Sequence, residues 1–201
     1  MSTAVAERAP FPLRLLPWLL ITGGLLGLAA AFVLTVEKIV LLRDPDYVPS
    51  CSIDPILSCG SVMRTAQAEV FGFPNPLLGV AGFAAITTIG MALLAGARFR
   101  RWFWLGVQAG VTFGVVFTHW LIFQSLYRIG ALCPYCLVVW AVTIPIFLYV
   151  TLHNLHHGHL PCPAGVRRGL VTFHTVVLTG WFALILAGVL QAFWDYWITV
   201  F

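Results

Sequence analysis

Five apolar stretches, each long enough to cross a bilayer, decide what this chain can fold into. They run from Leu15 to Val36, Pro76 to Ala97, Trp102 to Tyr127, Cys133 to Leu152 and Leu170 to Trp194. A helical crossing takes about 20 residues. In lipid each segment must satisfy its own backbone N–H and C=O groups, so all five are expected as helices. The 201 residues are 60% hydrophobic and only 9% charged, where a soluble domain carries roughly 25% charged residues. The expected fold is all-α and integral to a membrane, with the lipid bilayer as its main surroundings.

The arginines orient the helices. Arg8 and Arg14 precede the first; Arg98, Arg100 and Arg101 join the second to the third; Arg167 and Arg168 join the fourth to the fifth. All seven fall on one side, and only Lys38, Arg43, Arg64 and Arg128 fall on the other. The positive-inside bias then predicts a cytoplasmic N-terminus and an outer C-terminus. The net charge of +4 is spread over short caps between apolar runs, which excludes a phosphate-binding face and a nucleic-acid partner. The first apolar run is too long for a cleavable signal peptide and is expected to remain as a span. Tryptophans cluster at helix ends, as in an interfacial aromatic belt.

The outer loop, residues 43–75, carries its own pattern. Asp54-Pro55 resembles a helix start. Ser61 to Val70 puts Val62, Met63, Ala66 and Val70 on one face, and Gly72 follows as a stop signal. A short amphipathic helix is expected there, lying as a lid over the bundle.

Cysteines supply the chemistry. Cys51 and Cys59 lie in the outer loop, seven residues between them, and Cys133-Pro-Tyr-Cys136 opens the fourth helix at the same face. Cys162 falls on the opposite side. Thiol–disulfide exchange needs an attacking thiolate and a second cysteine to resolve the mixed species. A Cys-x-x-Cys at a helix N-terminus offers both, with the helix dipole lowering the first thiol's pKa. Two such pairs on one face suggest a disulfide relay. The alternatives are a four-cysteine zinc site and two structural disulfides, which would make the chain a non-enzymatic membrane protein. The long Cys51–Cys59 spacing counts against zinc, and the outer face favours oxidation; no metal site is expected. A structural pair does not explain a dithiol motif entering the bilayer.

These residues resemble the vitamin K epoxide reductase family, including its bacterial disulfide-forming members. The likeness spans about Ile21 to Leu152. It rests on Cys51 and Cys59, on Phe71-Gly72 with Asn75-Pro-Leu-Leu-Gly79, on Trp120 to Tyr127 and on Cys133-Pro-Tyr-Cys136. The DsbB type of quinone-linked system carries its two cysteine pairs in the reverse order. The resemblance implies a four-helix transmembrane core over residues 15–152, after a cytoplasmic tail at 1–14. A cytoplasmic loop at 153–169 and a fifth transmembrane helix at 170–197 would follow.

The resemblance also implies a mechanism. A separate DsbA-like thioredoxin-fold protein would attack a Cys51–Cys59 disulfide at Cys51. Cys59 would then attack a Cys133–Cys136 disulfide, and Cys136 would face a membrane quinone, menaquinone or ubiquinone, as electron acceptor. Asn75 would hydrogen-bond a quinone carbonyl. Thr65 matches a Ser or Thr position near the cysteines. Trp140 stands where vertebrate members carry tyrosine, and its indole N–H offers one donor toward the quinone. The implied location is a bacterial inner membrane, with the cysteines facing the periplasm or cell exterior.

Other features read more plainly. Gly106, Gly110 and Gly114 on the third helix, and Gly23 and Gly27 on the first, are expected at close helix contacts. His119 is expected as a packed histidine rather than a proton donor. The tract from His153 to Cys162 reads as a half-polar interfacial loop, and Glu37 with Lys38 as a neighbouring pair or as snorkelling side chains.

Overall fold

The computed structural model describes residues 14–54 and 56–200. The tail before Arg14, with Glu7 and Arg8, and Pro55 of the expected helix start lie outside the described residues. Among the described residues, five helices are long and apolar enough to cross a membrane: α1 (Leu16–Arg43), α3 (Pro76–Leu94), α4 (Arg101–Gln124), α5 (Pro134–His156) and α7 (His174–Ala192). The short elements are α2 (Cys59–Met63), α6 (Ala164–Thr172) and α8 (Trp194–Val200). Among the described residues there is no strand, only two isolated bridges.

The helix α1 packs along α3 and α5, and α4 packs along α5. Glycines let α1 approach α3. A Cβ on Gly24 would stand 2.3 Å from Thr87 Oγ1, and one on Gly27 would stand 2.5 Å from the Phe83 ring. A Cβ on Gly23 would stand 3.3 Å from the Ile146 side chain of α5, tight but against the movable end of a side chain. The stripe on α4 behaves otherwise. A Cβ on Gly106 or Gly110 would meet nothing within 4 Å, so the expected close contact is absent there. Both line a cavity instead, because α3 and α4 do not pack along one another.

Three elements run differently from their apolar patterns. Helix α1 continues past Val36 to Arg43, because Glu37 and Lys38 both find partners in the loop. They do not pair with each other. Lys38 Nζ donates to Met63 O at 2.6 Å and lies 2.8 Å from Glu69 Oε1. Glu37 accepts from Tyr47 Oη at 2.8 Å and Ser50 Oγ at 2.6 Å. The third span ends in a π segment, Ser125–Ile129, closed by Gly130 at φ 67°. The expected fifth run breaks at Phe173 into α6 and α7, where a His174 ring nitrogen bonds Val171 O.

The lid is also divided. Its first turn is α2, and a 3₁₀ turn, Ala66–Glu69, follows; the Thr65 hydroxyl donates to Val62 O at 2.8 Å between them. Asp54 does not start a helix. Its Oδ1 accepts from the N–H groups of Ile56 and Leu57 at 2.8 Å each, an Asx turn, and Ser58 caps the helix that begins at Cys59. Gly72 at φ 80° ends the lid as its position suggests.

At the arginine-rich end, Arg101 donates two hydrogen bonds to His159 O. His153 stacks on Trp104 with ring centroids 4.0 Å apart, and His159 Nδ1 lies 2.9 Å from Asn154 Oδ1. The histidine tract is thus folded onto the ends of α4 and α5. His119 is packed as expected: Nδ1 donates to Val115 O, and Nε2 accepts from Trp181 Nε1 at 2.8 Å, fastening α7 to α4.

Lys38 makes the lid's attachment testable. Glu69→Gln leaves a cation only 7% exposed without its counter-charge. Breaking a buried pair costs about 3–5 kcal/mol, and the half-exposed Glu69 brings the expected loss to about 1–3 kcal/mol. Thermal unfolding in nanodiscs should show a midpoint lower by about 2–12 °C, with Lys38→Met smaller in effect because the buried charge itself is removed and the Glu69 left behind is half-exposed.

Candidate active site

The site begins with two isolated backbone bridges. Ile53 N donates to Leu57 O, and Gly60 N donates to Ser52 Oγ, folding the loop back on itself. This turn brings the Cα atoms of Cys51 and Cys59 to 5.5 Å, and a disulfide joins them. The second bridge pairs Leu57 with Leu132: Leu132 N donates to Ile56 O at 2.7 Å, and Ser58 N donates to Leu132 O at 2.9 Å. Its register brings Cys59, two residues beyond Leu57, beside Cys133, the residue after Leu132. Their sulfurs are 3.0 Å apart.

Cys133 is the N-cap of α5, with Pro134 in the first turn, where a missing N–H costs nothing. The Cys133 thiol is held below its usual pKa, chiefly by a hydrogen bond from Cys136; burial opposes this, and the N–H groups of Cys136 and Tyr135 add to it. A helix N-terminus favours the thiolate for the same reason. Cys59 is fully enclosed, Cys133 is 1% exposed and Cys51 is 6% exposed. Cys133 and Cys136 are free thiols. The state is therefore one in which the outer pair is oxidised, the inner pair is reduced, and Cys133 abuts Cys59.

Three of these sulfurs, from Cys51, Cys59 and Cys133, lie within 4.8 Å of one another. Two are joined in the disulfide and hold no thiolate for a metal. Cys162 sits in the loop beyond α5, away from the other four.

Beneath the cysteines lies a cavity of about 530 Å³ between α3, α4 and α5, roofed by the lid. That volume is within the usual range for a small-molecule site. Cys133, Cys136, Asn75, Thr65 and Trp140 all line it, so every residue singled out for cofactor contact reaches one space. Each has other engagements. Asn75 Nδ2 donates to Gln67 O at 2.7 Å, and its Oδ1 accepts from Val70 N at 3.2 Å, so the amide also ties the lid to α3. One N–H of its two remains for a ligand. The Thr65 hydroxyl spends its proton on Val62 O and keeps acceptor capacity. Trp140 is 4% exposed, one turn below Cys136, and packs against Phe193 after α7.

Sequence reasoning missed the hold on this arrangement. Lys38, Glu69, Glu37 and Ser58 position the loop, and Ser58 alone had a legible signal, a serine directly before a helix.

A family model described as the vitamin K epoxide reductase family matches residues 18–151. No curated protein matches the chain. The matched span begins in α1 and ends in α5, containing all four helices of the core, the lid and both cysteine pairs. With a disulfide abutting a dithiol at the membrane end of that core, the chain belongs to the vitamin K epoxide reductase family, as a membrane thiol–disulfide oxidoreductase.

Proposed function

We propose that the protein reoxidises a secreted, DsbA-like thioredoxin-fold partner and passes the electrons to a membrane quinone, menaquinone or ubiquinone, in support of oxidative protein folding. The observation that carries this reading is the 3.0 Å approach of the Cys59 and Cys133 sulfurs above an apolar cavity lined by Cys136. A thiolate of the partner attacks Cys51, breaking the Cys51–Cys59 bond and releasing Cys59 as thiolate. The partner's second thiol resolves the mixed species, leaving the partner oxidised and Cys51 and Cys59 reduced. Cys59 then attacks Cys133 of a Cys133–Cys136 disulfide, and Cys136 leaves as thiolate. Cys51 attacks Cys59, re-forms the outer disulfide and frees Cys133.

A bound quinone supplies the acceptor for two electrons and two protons. Toward it Cys136 presents its sulfur, Asn75 its remaining N–H and Trp140 its indole face, while the lid excludes water. The apolar lining fits such a group. We place the N-terminus in the cytoplasm and the relay at the periplasmic or exterior face of a bacterial inner membrane, in line with the arginine distribution.

The test uses the protein in nanodiscs with a reduced DsbA-like partner and a short-chain naphthoquinone. Quinol formation with stoichiometric oxidation of the partner is expected. Cys136→Ser should abolish quinol formation while leaving partner exchange at Cys51 intact. No quinone reduction, together with stoichiometric zinc binding, would sink the reading in favour of a metal-holding protein.

A further inference from the structure

A threonine in a membrane helix ordinarily satisfies its hydroxyl on its own helix, donating to the carbonyl four residues back. Thr22, Thr35, Thr87, Thr88, Thr112 and Thr151 all do so at 2.7–2.9 Å. Thr118 of α4 and Thr143 of α5 do not. They are 4% and 8% exposed, they line the cavity, and neither hydroxyl has a hydrogen-bond partner among the described residues. A buried hydroxyl left without a partner costs about 1–3 kcal/mol. Nor are these oxygens sealed off by packing: among the described residues, the one buried side-chain polar atom both enclosed and unpartnered is Trp197 Nε1. Both oxygens therefore retain accessible surface, on residues that line the cavity.

Their depth says what that partner is. Cys136, Trp140 and Thr143 follow one another at helical spacing on the same face of α5, and seven residues of rise put Thr143 about 10 Å below Cys136. A Cβ on Gly114 would lie 3.9 Å from Thr143 Cγ2, and Thr118 is one turn from Gly114 toward the cysteines. The two threonines thus border the cavity from two helices, with Thr118 about one helical turn nearer the lid than Thr143. Other polar linings, from Thr65, Gln67, Asn75 and Ser125, gather at the lid end with the sulfurs. The cavity offers hydrogen bonds at its lid end and, about 10 Å deeper, at Thr143, with Thr118 on the facing wall one turn nearer the lid. That separation is on the order of a para-quinone ring with a hydrogen bond at each oxygen.

We propose that Thr118 and Thr143 are binding residues that donate hydrogen bonds to the quinone oxygen remote from the lid, and so select ligands with oxygens at both ends of the ring. The inference rests on the quinone reading above. Thr→Val replacement keeps shape and removes the donor. A short-chain naphthoquinone carrying ¹³C at one or other carbonyl is titrated into wild-type, Thr118→Val, Thr143→Val, doubly substituted and Thr143→Ser protein in nanodiscs. Tryptophan-fluorescence quenching gives affinity, and the infrared carbonyl bands give hydrogen bonding.

In the wild type both carbonyl bands should be lowered from their free positions. The double variant should return one band to the free position and weaken binding about tenfold, a loss of about 1.4 kcal/mol, with Thr143→Ser close to wild type. Wild-type protein with only one lowered band overturns the inference without needing any variant. So does a double variant with wild-type affinity and unchanged bands, and both results leave the quinone reading standing. A wild type that binds no quinone overturns both.

Discussion

Cys59→Ala is expected to stop electron flow from the partner to the inner pair, lowering turnover on the order of a thousandfold or more, as for other residues that act only as a unit. The reason is positional. Cys59 is the outer cysteine whose sulfur lies 3.0 Å from Cys133, and Cys51, its disulfide partner, is held on the far side of that bond. Cys51→Ala should behave differently. Cys59 can still attack a Cys133–Cys136 disulfide, breaking it and releasing Cys136 as thiolate, but nothing then displaces Cys59 from the outer side. A Cys59–Cys133 crosslink should accumulate, seen as one joined peptide pair after alkylation and digestion without reductant. An uncrosslinked Cys51→Ala protein, or a fully active Cys59→Ala protein, would refute the order of transfer.

The second large effect separates two sets of glycines that look alike in the sequence. Gly24→Leu drives a side chain into Thr87, whose backbone N would stand 3.0 Å from the Cβ alone. Overpacking costs typically 1–3 kcal/mol, and because backbone must yield here the expected loss is about 3 kcal/mol or more, enough to scatter α1 from α3. Gly110→Leu meets no atom within 4 Å at its Cβ. It should fold as well as the parent, gaining about 1 kcal/mol of helix propensity, yet obstruct the cavity and abolish quinone binding. Unfolding midpoints and quinone titrations on the two variants should therefore move in opposite senses. Equal destabilisation of both would mean that the α4 stripe is a packing face after all.

That contrast also marks where sequence reading stops. Membrane helices are legible because the need to satisfy backbone groups in lipid acts within each segment, and the redox pairs are legible because their spacing is local. Whether a glycine faces a helix or a void depends on which neighbour stands opposite, and hydropathy carries no record of that. Thr118 and Thr143 were invisible for the same reason; only the missing bond to the preceding turn sets them apart from Thr87 or Thr151. Lys38 and Glu37 are adjacent in the chain, which suggested a mutual pair. Successive helical positions point in different directions, so each serves a different stretch of loop. Asn75 was assigned to a ligand, and the fold adds a second duty, holding Gln67 and Val70.

The enclosure of the sulfurs bears on the fidelity of the current they carry. With Cys59 fully covered and Cys133 at 1% exposure, the two sulfurs that abut are shielded from small thiols and oxidants in the surrounding fluid. In the proposed relay electrons would enter by way of Cys51, which is 6% exposed. The loop and lid are also held through Lys38, Glu37 and Asn75, so the Cys51–Cys59 disulfide is not their sole anchor. A relay shielded in this way is expected to leave the redox poise of its compartment to the partner protein rather than to ambient small thiols.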